Sequence, residues 1–258
     1  MTDTPGCDEP FVAELGPLRS LQFDGLTVQS VMSVVEPDAL ALDYTRAMMG
    51  FLLFNPHPRH IVMVGLGGGS LAKYCLRTLP ETRFTAVEIN PAVIALRDRF
   101  GIPPDDDRFR VVCADGADYV RDSEDAPDVL LVDGFVAAGL PPRLGSADFY
   151  ADCCRALTPG GVLVVNHWAG DSRYAVYAAR LREAFDGRVL AIGAEDGDNR
   201  ISFAVSGPSF PPSRGQVLGR SAALSALHSF DVTDIAQRVL GRLDRMMGRR
   251  AGGARIES

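Results

Sequence analysis

The stretch His60-Ile61-Val62-Met63-Val64-Gly65-Leu66-Gly67-Gly68-Gly69-Ser70-Leu71 runs from an apolar strand pattern into four glycines within five positions, then into helix-forming residues. Glycine has no Cβ, so such a turn lets the backbone approach a ligand closely, and the free N–H groups of the following helix point toward it. The stretch therefore predicts a ligand site where the strand ends. Two kinds of ligand compete for it: a dinucleotide held by its pyrophosphate, and a nucleoside such as S-adenosylmethionine (AdoMet), which has no phosphate.

Strand and helix patterns alternate along the chain from His60 to Val205, which predicts a parallel, doubly wound sheet. Only Gly193–Arg200 separates the last two strand patterns, so these two predict an antiparallel hairpin at the sheet edge. The expected fold is α/β, a Rossmann-like seven-stranded AdoMet-dependent methyltransferase fold with a small N-terminal β-module and C-terminal helices. The seven strand patterns are Ile61–Val64, Phe84–Glu88, Phe109–Cys113, Val129–Asp133, Val162–Asn166, Val189–Ile192 and Ile201–Val205.

Four segments are expected along the chain. Residues 1–16 form a flexible leader, and 17–55 hold a β-hairpin, with a turn at Asp24-Gly25, and a helix from Pro37 to Phe54. Residues 56–206 form the nucleoside-binding domain, and 207–258 a linker and helical tail. In the tail, Asp231 is a candidate N-cap of a helix whose apolar stripe packs on the domain or on a second subunit. A homodimer is therefore one expected partner state.

The composition excludes several kinds of partner. The 258 residues are 47% apolar and carry a net charge of −7, so a uniform cationic surface for nucleic acid is missing. No apolar run has membrane-spanning length, and the N-terminus lacks a signal pattern, so we expect no membrane partner. The five cysteines show no paired metal-ligand spacing, so we expect no metal and a reducing, cytoplasmic location.

Three acidic positions follow strands of the predicted sheet. Glu88 ends the second strand, 23 positions after Gly65, where its carboxylate can accept hydrogen bonds from both ribose hydroxyls. Asp115-Gly116 follows the third strand, where the Asp can accept the adenine amine and the Gly leaves room for the ring. Asp133 ends the fourth strand, at the switch point where ligands of open α/β sheets bind, and is the candidate acid/base or orienting group.

The spacing of the glycines favours a nucleoside over a dinucleotide. Pyrophosphate binding prefers Gly-x-Gly-x-x-Gly, and in Gly65-Leu66-Gly67-Gly68-Gly69-Ser70 the third glycine comes too early. The expected co-substrate is therefore AdoMet or decarboxylated AdoMet, bound by Gly65, Gly67, Gly68, Gly69, Glu88, Ile89, Asp115 and Gly116.

At these residues the chain resembles the spermidine synthase (polyamine aminopropyltransferase) family, from about Leu21 to Val205. The resemblance implies that Glu88 holds ribose, that Asp115 holds adenine and that Asp133 faces the attacking nitrogen. It also makes Gln29 and Tyr44 candidate substrate residues. The motifs that carry it are Phe23-Asp24-Gly25 with Gln29, Tyr44, the glycine turn, Val87-Glu88-Ile89-Asn90-Pro91, Asp115-Gly116, Asp133, Asp148-Phe149-Tyr150 and Leu157-Thr158-Pro159-Gly160-Gly161.

The chain departs from the family pattern where the family binds cations. The family's turn reads Gly-Gly-Gly-Asp-Gly-Gly, and its Asp holds the aminopropyl ammonium, whereas this chain has Gly68 there. The family's Asp-x-x-Asp after the fourth strand ends here in Val136. Its Tyr-His/Gln-Glu triplet appears as Tyr44-Thr45-Arg46, and Gln29 is displaced by one position. Burying an ammonium without a partner costs several kcal/mol, so the missing acids argue against a diamine site. Gly68 also removes a charge that would repel the carboxylate of intact AdoMet, which favours AdoMet over its decarboxylated form.

A second resemblance is to the spermidine-synthase-like methyltransferases that modify lysine or the N-terminus of translation elongation factor. It rests on the glycine turn, Val-Glu-Ile-Asn-Pro, Ala114–Tyr119 and Asn199-Arg200-Ile201. Both groups of relatives transfer an alkyl group from a sulfonium to nitrogen, which requires an aligned, unprotonated nitrogen. His167, in Asn166-His167-Trp168 after the fifth strand, either borders the acceptor pocket and takes a proton or is a structural histidine.

Three functions are consistent with this sequence. The first is a spermidine-synthase-like transferase that uses AdoMet or a close derivative to alkylate a small-molecule or protein amine, with methyl transfer favoured because the diamine-binding acids are missing. The alternative is a polyamine aminopropyltransferase that uses decarboxylated AdoMet, with acidic contacts from Asp118, Glu195 or Asp196. The third is a non-catalytic nucleoside-binding module, against which Asp133 argues.

Overall fold

The N-terminal part of the chain folds into a small antiparallel sheet. The computed structural model describes residues 9–23, 28–135, 139–195 and 197–253, the last seven by their backbone alone. The small sheet contains β1 (Phe11–Leu15), β2 (Leu18–Gln22) and β3 (Val28–Ser33) in that order. The strand β1 falls where a flexible leader was expected, so that expectation is wrong for Phe11–Leu15. Gly16, at φ +58°, turns the chain back and lets these residues pair with β2. The expected turn at Asp24-Gly25 lies outside the described residues.

The central sheet has seven strands in the order β6-β5-β4-β7-β8-β10-β9, which confirms the predicted fold class. The strands β4 to β8 are parallel, and β10 runs antiparallel to both β8 and β9, so the predicted edge hairpin is present. The strands are β4 (His60–Val64), β5 (Arg83–Glu88), β6 (Phe109–Cys113), β7 (Val129–Val132), β8 (Val162–Trp168), β9 (Val189–Gly193) and β10 (Asn199–Val205).

Helices cover both faces of this sheet. They are α1 (Asp43–Met48), α2 (Ser70–Thr78), α3 (Pro91–Ile94), α4 (Gly116–Asp122), α5 (Ala147–Ala156), α6 (Tyr174–Ala184), α7 (Arg214–Ser225) and α8 (Val232–Gly253). One core joins one sheet face to α1, α2, α7 and α8, and the other core joins the opposite face to α4, α5 and α6. Because both faces are covered, β4 and β7 are buried along their whole length, as expected for parallel strands.

The N-terminal helix is shorter than its apolar pattern predicts. The α-helix begins only at Asp43, and Met49–Leu53 continue it as a 3-10 helix. The Arg46 side chain, within α1, donates hydrogen bonds to the carbonyls of Leu40 and Ala41, which lie ahead of the helix. A helix that began at Pro37 would use these carbonyls in its own hydrogen-bond ladder, so this local contact accompanies the later start of α1.

The C-terminal tail packs against the domain. Asp231 Oδ1 accepts a hydrogen bond from the Asp234 N–H at 3.0 Å, which is the contact of an N-cap. The stripe of α8 is buried in the core on the α1 face of the central sheet, at Val232, Ile235, Val239 and Leu243. Among the described residues, no helix combines the length and the apolar content needed to cross a bilayer.

Candidate functional site

The glycine turn joins the end of β4 to the start of α2. Gly65, Gly67 and Gly69 have φ values of +98°, +52° and +67°, a region that disfavours any residue with a Cβ. A Cβ on Gly65 would lie 2.4 Å from the backbone oxygen of Asp133, so only glycine allows the ends of β4 and β7 to approach this closely. The turn thus lies at the end of β4, between β5 and β7, at the switch point where the direction of strand order reverses.

The space beside Gly68 is occupied by the protein. A Cβ at this position would lie 2.7 Å from the Ser30 hydroxyl and 2.9 Å from the Phe100 ring. Ser30 is buried in β3 and covers the turn. The neighbouring candidate Gln29 has no partner in the register of β2 and β3, since the pairing shifts there. The structure therefore brings Ser30 to the turn, a residue that sequence reasoning missed.

Glu88 ends β5 with its carboxylate beside the glycine turn. Its Oε2 accepts the Leu66 N–H and its Oε1 accepts the Asn90 N–H, both at 2.9 Å. Burial raises the pKa of Glu88, while hydrogen bonds from the backbone oppose that rise. The backbone N–H groups of Gly67 and Ile89 also act on this carboxylate and lower its pKa, so a ribose hydroxyl would share it with the backbone. Asn90 is the N-cap of α3, through its contact with Ala92 N at 2.9 Å.

The next element along the sheet edge carries Asp115. Its Oδ1 caps α4 by accepting the N–H groups of Ala117 and Asp118, at 2.7 and 3.2 Å. Its Oδ2 accepts a hydrogen bond at 2.6 Å from Arg143, whose role sequence reasoning missed. A ligand amine would therefore share Asp115 with a guanidinium that is about half exposed.

Two apolar contacts shape the same edge. A Cβ on Gly116 would lie 2.3 Å from Val64 Cγ1, so glycine is required for the close approach of α4 to β4. Ile89, which follows Glu88, is 44% exposed and leaves an apolar surface at the rim. A flat ring could pack on this surface between Glu88 and Asp115.

Asp133 lies just beyond β7 and is held by groups from two other elements. Asn166 of β8 donates a hydrogen bond from Nδ2 to Asp133 Oδ1 at 2.9 Å. The Tyr44 hydroxyl of α1 lies close enough to this carboxylate for each group to shift the pKa of the other. Burial raises the pKa of Asp133 above its usual range, whereas Asn166 and Tyr44 lower it. Burial and the charge of Asp133 raise the pKa of Tyr44, which keeps its hydroxyl a donor.

His167 lies apart from this cluster. Side chains alternate on β8, so Asn166 faces α1 and His167 faces α5 and α6, where it is 1% exposed. Its Nε2 lies 3.2 Å from the Tyr150 hydroxyl and its Nδ1 lies 3.4 Å from the Ser202 hydroxyl. Burial lowers the pKa of His167 to about 4. The expected substrate role of His167 is therefore corrected: it is a neutral, structural core residue on the far side of the sheet.

Two further acidic groups, Asp43 and Glu195, lie next to Tyr44. Asp43 is buried and accepts a hydrogen bond from the Glu195 N–H. The charges of Asp234 and Asp43 raise the pKa of Glu195. Arg238 lies 3.9 Å from both Asp43 and Glu195, so it offsets part of this negative charge. Of the other acids suggested by sequence, Asp118 pairs with Arg143 and Arg121, while Asp196 lies outside the described residues. Val136, at the position where the family has an acid, also lies outside them.

A buried lysine lies behind the glycine turn. Lys73 of α2 is 3% exposed, and its Nζ donates to the Phe100 carbonyl at 2.6 Å and to Met32 Sδ at 3.0 Å. Burial lowers the pKa of Lys73 to about 8. Gly68 and Lys73 together make the neighbourhood of the turn less negative than an acidic turn would be.

Comparison with known proteins identifies the relatives of this chain. Residues 41–169 match the spermine/spermidine synthase domain. The chain is 47% identical over 184 residues to a polyamine aminopropyltransferase of Chromobacterium violaceum, covering 71% of this chain and 70% of that protein. It is 40% identical over 228 residues to a polyamine aminopropyltransferase of Neisseria meningitidis, covering 88% and 87%.

A solved methyltransferase-like structure is also similar to this chain. Human methyltransferase-like protein 13, in complex with SAH, superposes with a TM-score of 0.65 at 25% identity, covering 72% of this chain and 91% of that one. The sequence relatives, however, bear the name of the aminopropyl alternative. The comparisons therefore support that alternative better than the methyl transfer that the sequence favoured.

Proposed function

The chain belongs to the spermine/spermidine synthase family of AdoMet-type transferases, and we propose that it is a polyamine aminopropyltransferase. In this proposal, decarboxylated AdoMet donates an aminopropyl group to a primary amine of a small aliphatic polyamine. Asp133 is the observation that carries the proposal, because its backbone lies against Gly65 of the glycine turn and its partly buried carboxylate accepts a hydrogen bond from Asn166 and faces Tyr44.

The donor would lie along the carboxyl edge of the central sheet. Glu88 would accept the two ribose hydroxyls, and Ile89 and Gly116 would flank the adenine. Asp115 would accept the adenine amine while keeping its contact with Arg143. Gly65, Gly67, Gly68 and Gly69 would then bring the turn up to the sulfonium, with Ser30 beside the aminopropyl chain.

The reaction needs an amine with a free lone pair. The nitrogen attacks the aminopropyl carbon bonded to sulfur, the C–S bond breaks with its electron pair going to sulfur, and neutral methylthioadenosine leaves. The product nitrogen is at first a secondary ammonium, and it loses one proton, which Asp133 would accept directly or through water, to give the secondary amine. Burial raises the pKa of Asp133, which makes it a better proton acceptor than an exposed aspartate.

The acceptor would lie between Asp133 and the acidic groups next to α1. Asp43 and Glu195 supply negative charge on this side, although Val136 stands where the family pattern has an acid. A polyamine is polycationic, so carboxylates near its second amine would favour binding. Gln29 and His167 have no part in this proposal.

Product analysis tests the proposal directly. Purified protein is incubated with decarboxylated AdoMet and an aliphatic diamine, and the products are separated by mass spectrometry. We expect an aminopropylated diamine and methylthioadenosine in equal amounts, and Asp133→Asn should slow the formation of both by about 10²- to 10⁴-fold. Methylated amine formed from AdoMet, without any aminopropyl product, would overturn the proposal.

Amine methylation from intact AdoMet is the second candidate, and one observation favours it. Gly68 contributes no carboxylate, and Lys73 places a cation behind the turn, so the carboxylate of AdoMet would meet less repulsion there. Calorimetry with both donors distinguishes the candidates. Tighter binding of AdoMet than of its decarboxylated form would favour methylation.

The cellular setting is also proposed. Cys75, Cys113, Cys153 and Cys154 are free, which is compatible with a reducing cytoplasm. We further propose a homodimer, for which size-exclusion chromatography with light scattering is the test.

A further inference from the structure

The hydrogen bonds on Asp133 continue to a residue that has no contact with the proposed substrates. Asn199, the first residue of β10, donates from its Nδ2 to Asn166 Oδ1 at 2.9 Å. Asn166 in turn donates from its Nδ2 to Asp133 Oδ1 at 2.9 Å and is 2% exposed. Three strand ends, those of β7, β8 and β10, are thus joined by two amide side chains.

The chemistry of the groups allows one orientation of this chain. An ionised carboxylate can only accept hydrogen bonds, so Asn166 must turn its NH₂ group toward Asp133. Its carbonyl oxygen then faces Asn199, which must present its own NH₂ group. If Asn199 did not donate, nothing in this contact would stop the buried Asn166 amide from turning its oxygen toward Asp133.

We infer that Asn199 is a positioning residue, which acts through Asn166 to keep a donor against Asp133 and so keeps that carboxylate oriented and ionised. The chemical consequence rests on the proposed function, in which Asp133 takes the proton of the reacting amine. The orientation of Asn166 rests on the hydrogen bonds alone.

Among the described residues, no charged side chain donates a hydrogen bond to Asp133. From α1, Tyr44 faces Asp133, and Asp43 faces the β9–β10 turn, where Glu195 lies. Arg200 follows Asn199, and its guanidinium lies against the Asn199 carbonyl at 3.2 Å. On β8, the next residue, His167, faces the opposite core. Asn166 and Tyr44 are therefore the two side chains that counter the effect of burial on Asp133.

An isosteric substitution tests the inference. Asn199→Asp replaces the donor by a carboxylate that can only accept, so it should attract the NH₂ group of Asn166 and turn the amide oxygen toward Asp133. Asn199→Ala removes the donor without adding charge. Gly197→Asp is the matched control, because it adds a carboxylate nearby, where a Cβ would lie 3.9 Å from Asn199 Oδ1, without touching Asn166.

The first readout is the titration of the Asp133 carboxyl carbon by NMR in selectively labelled protein. Loss of a hydrogen bond to a charged group should raise the titration midpoint by about one to two pH units in Asn199→Asp, and by less in Asn199→Ala. Gly197→Asp should move it little. An unchanged midpoint in folded Asn199→Asp and Asn199→Ala would overturn the inference. So would an equal rise in Gly197→Asp, because charge alone would then explain the effect.

The second readout is the pH profile of kcat/KM for aminopropyl transfer. Its acidic limb should move to higher pH by the same amount in Asn199→Asp, while the plateau at high pH and the affinity for methylthioadenosine stay near those of the original chain. A lowered plateau with an unmoved limb would show a merely structural role and would overturn the inference. The NMR titration needs no turnover, so failure of the proposed function would be recognised separately.

Discussion

Replacement of Glu88 by glutamine tests how the donor nucleoside is held. The N–H groups of Leu66 and Asn90 donate to this carboxylate, each at 2.9 Å, and those of Gly67 and Ile89 also lower its pKa. The ribose hydroxyls are proposed to donate to the same two oxygens. In Glu88→Gln, one oxygen becomes an NH₂ group, which opposes a backbone N–H and can no longer accept a hydroxyl.

The size of the effect follows from these contacts. Each hydrogen bond to a charged group contributes about 1.5 kcal/mol or more, and the substitution weakens or removes both ribose contacts. A loss of about 3 kcal/mol corresponds to about a hundredfold rise in Kd, since about 1.4 kcal/mol is tenfold. Because the ribose is distant from the reacting atoms, kcat at saturating donor should fall much less than affinity.

Isothermal calorimetry with methylthioadenosine measures the affinity, and steady-state kinetics gives KM and kcat. Glu81→Gln is the control, because Glu81 is exposed just before the opposite end of β5. A change in Kd of less than about threefold in folded Glu88→Gln, equal to the control, would refute the reasoning that this carboxylate grips the sugar.

Three further predictions concern other parts of the site. Asp133→Asn should lower kcat by about 10²- to 10⁴-fold while the Kd for methylthioadenosine stays unchanged; weaker nucleoside binding with normal turnover would contradict its proposed role. Gly65→Ala should destabilise the fold in urea by about 2 kcal/mol more than Gly101→Ala, because both glycines have positive φ but only Gly65 would clash, with Asp133; equal losses would contradict this account. Because the folded pKa of His167 is about 4 and the unfolded value is about 6.5, the unfolded state binds more protons between these values, so stability should rise by about 3 kcal/mol from pH 4 to 6.5. His167→Gln should remove that part of the pH dependence, and an unchanged curve would show that His167 does not titrate in this window.

Part of this site could be predicted from local sequence because each of its parts lies at the end of a strand. The glycine turn follows an apolar strand, and Glu88 ends the next one, so both must lie at the carboxyl edge of a parallel sheet. The same logic predicted Asp115 at the start of a helix and Asp133 beyond the fourth strand. Order along the chain is sufficient here, since neighbouring parallel strands place their ends side by side.

The choice between Asn166 and His167 could not be made in this way. The strand β8 is buried on both faces, so its apolar pattern does not show which residue faces the site. Packing decided it, because α1 covers one face and α5 and α6 cover the other. Ser30 and Arg143 were missed for a related reason, since both reach the site from segments outside the alternating strands and helices.

The sequence by itself determined the fold class, the position of the nucleoside edge and the three carboxylates along it, because periodicity and strand ends are local properties. Only the tertiary structure decided what surrounds those carboxylates. Asp133 is contacted by Asn166 and faces Tyr44, and Asn199 in turn donates to Asn166. These residues come from distant parts of the chain, so the contacts depend on how α1 and β10 pack. Such contacts leave no periodic trace in a sequence, because each residue contributes one side chain to a neighbour fixed elsewhere.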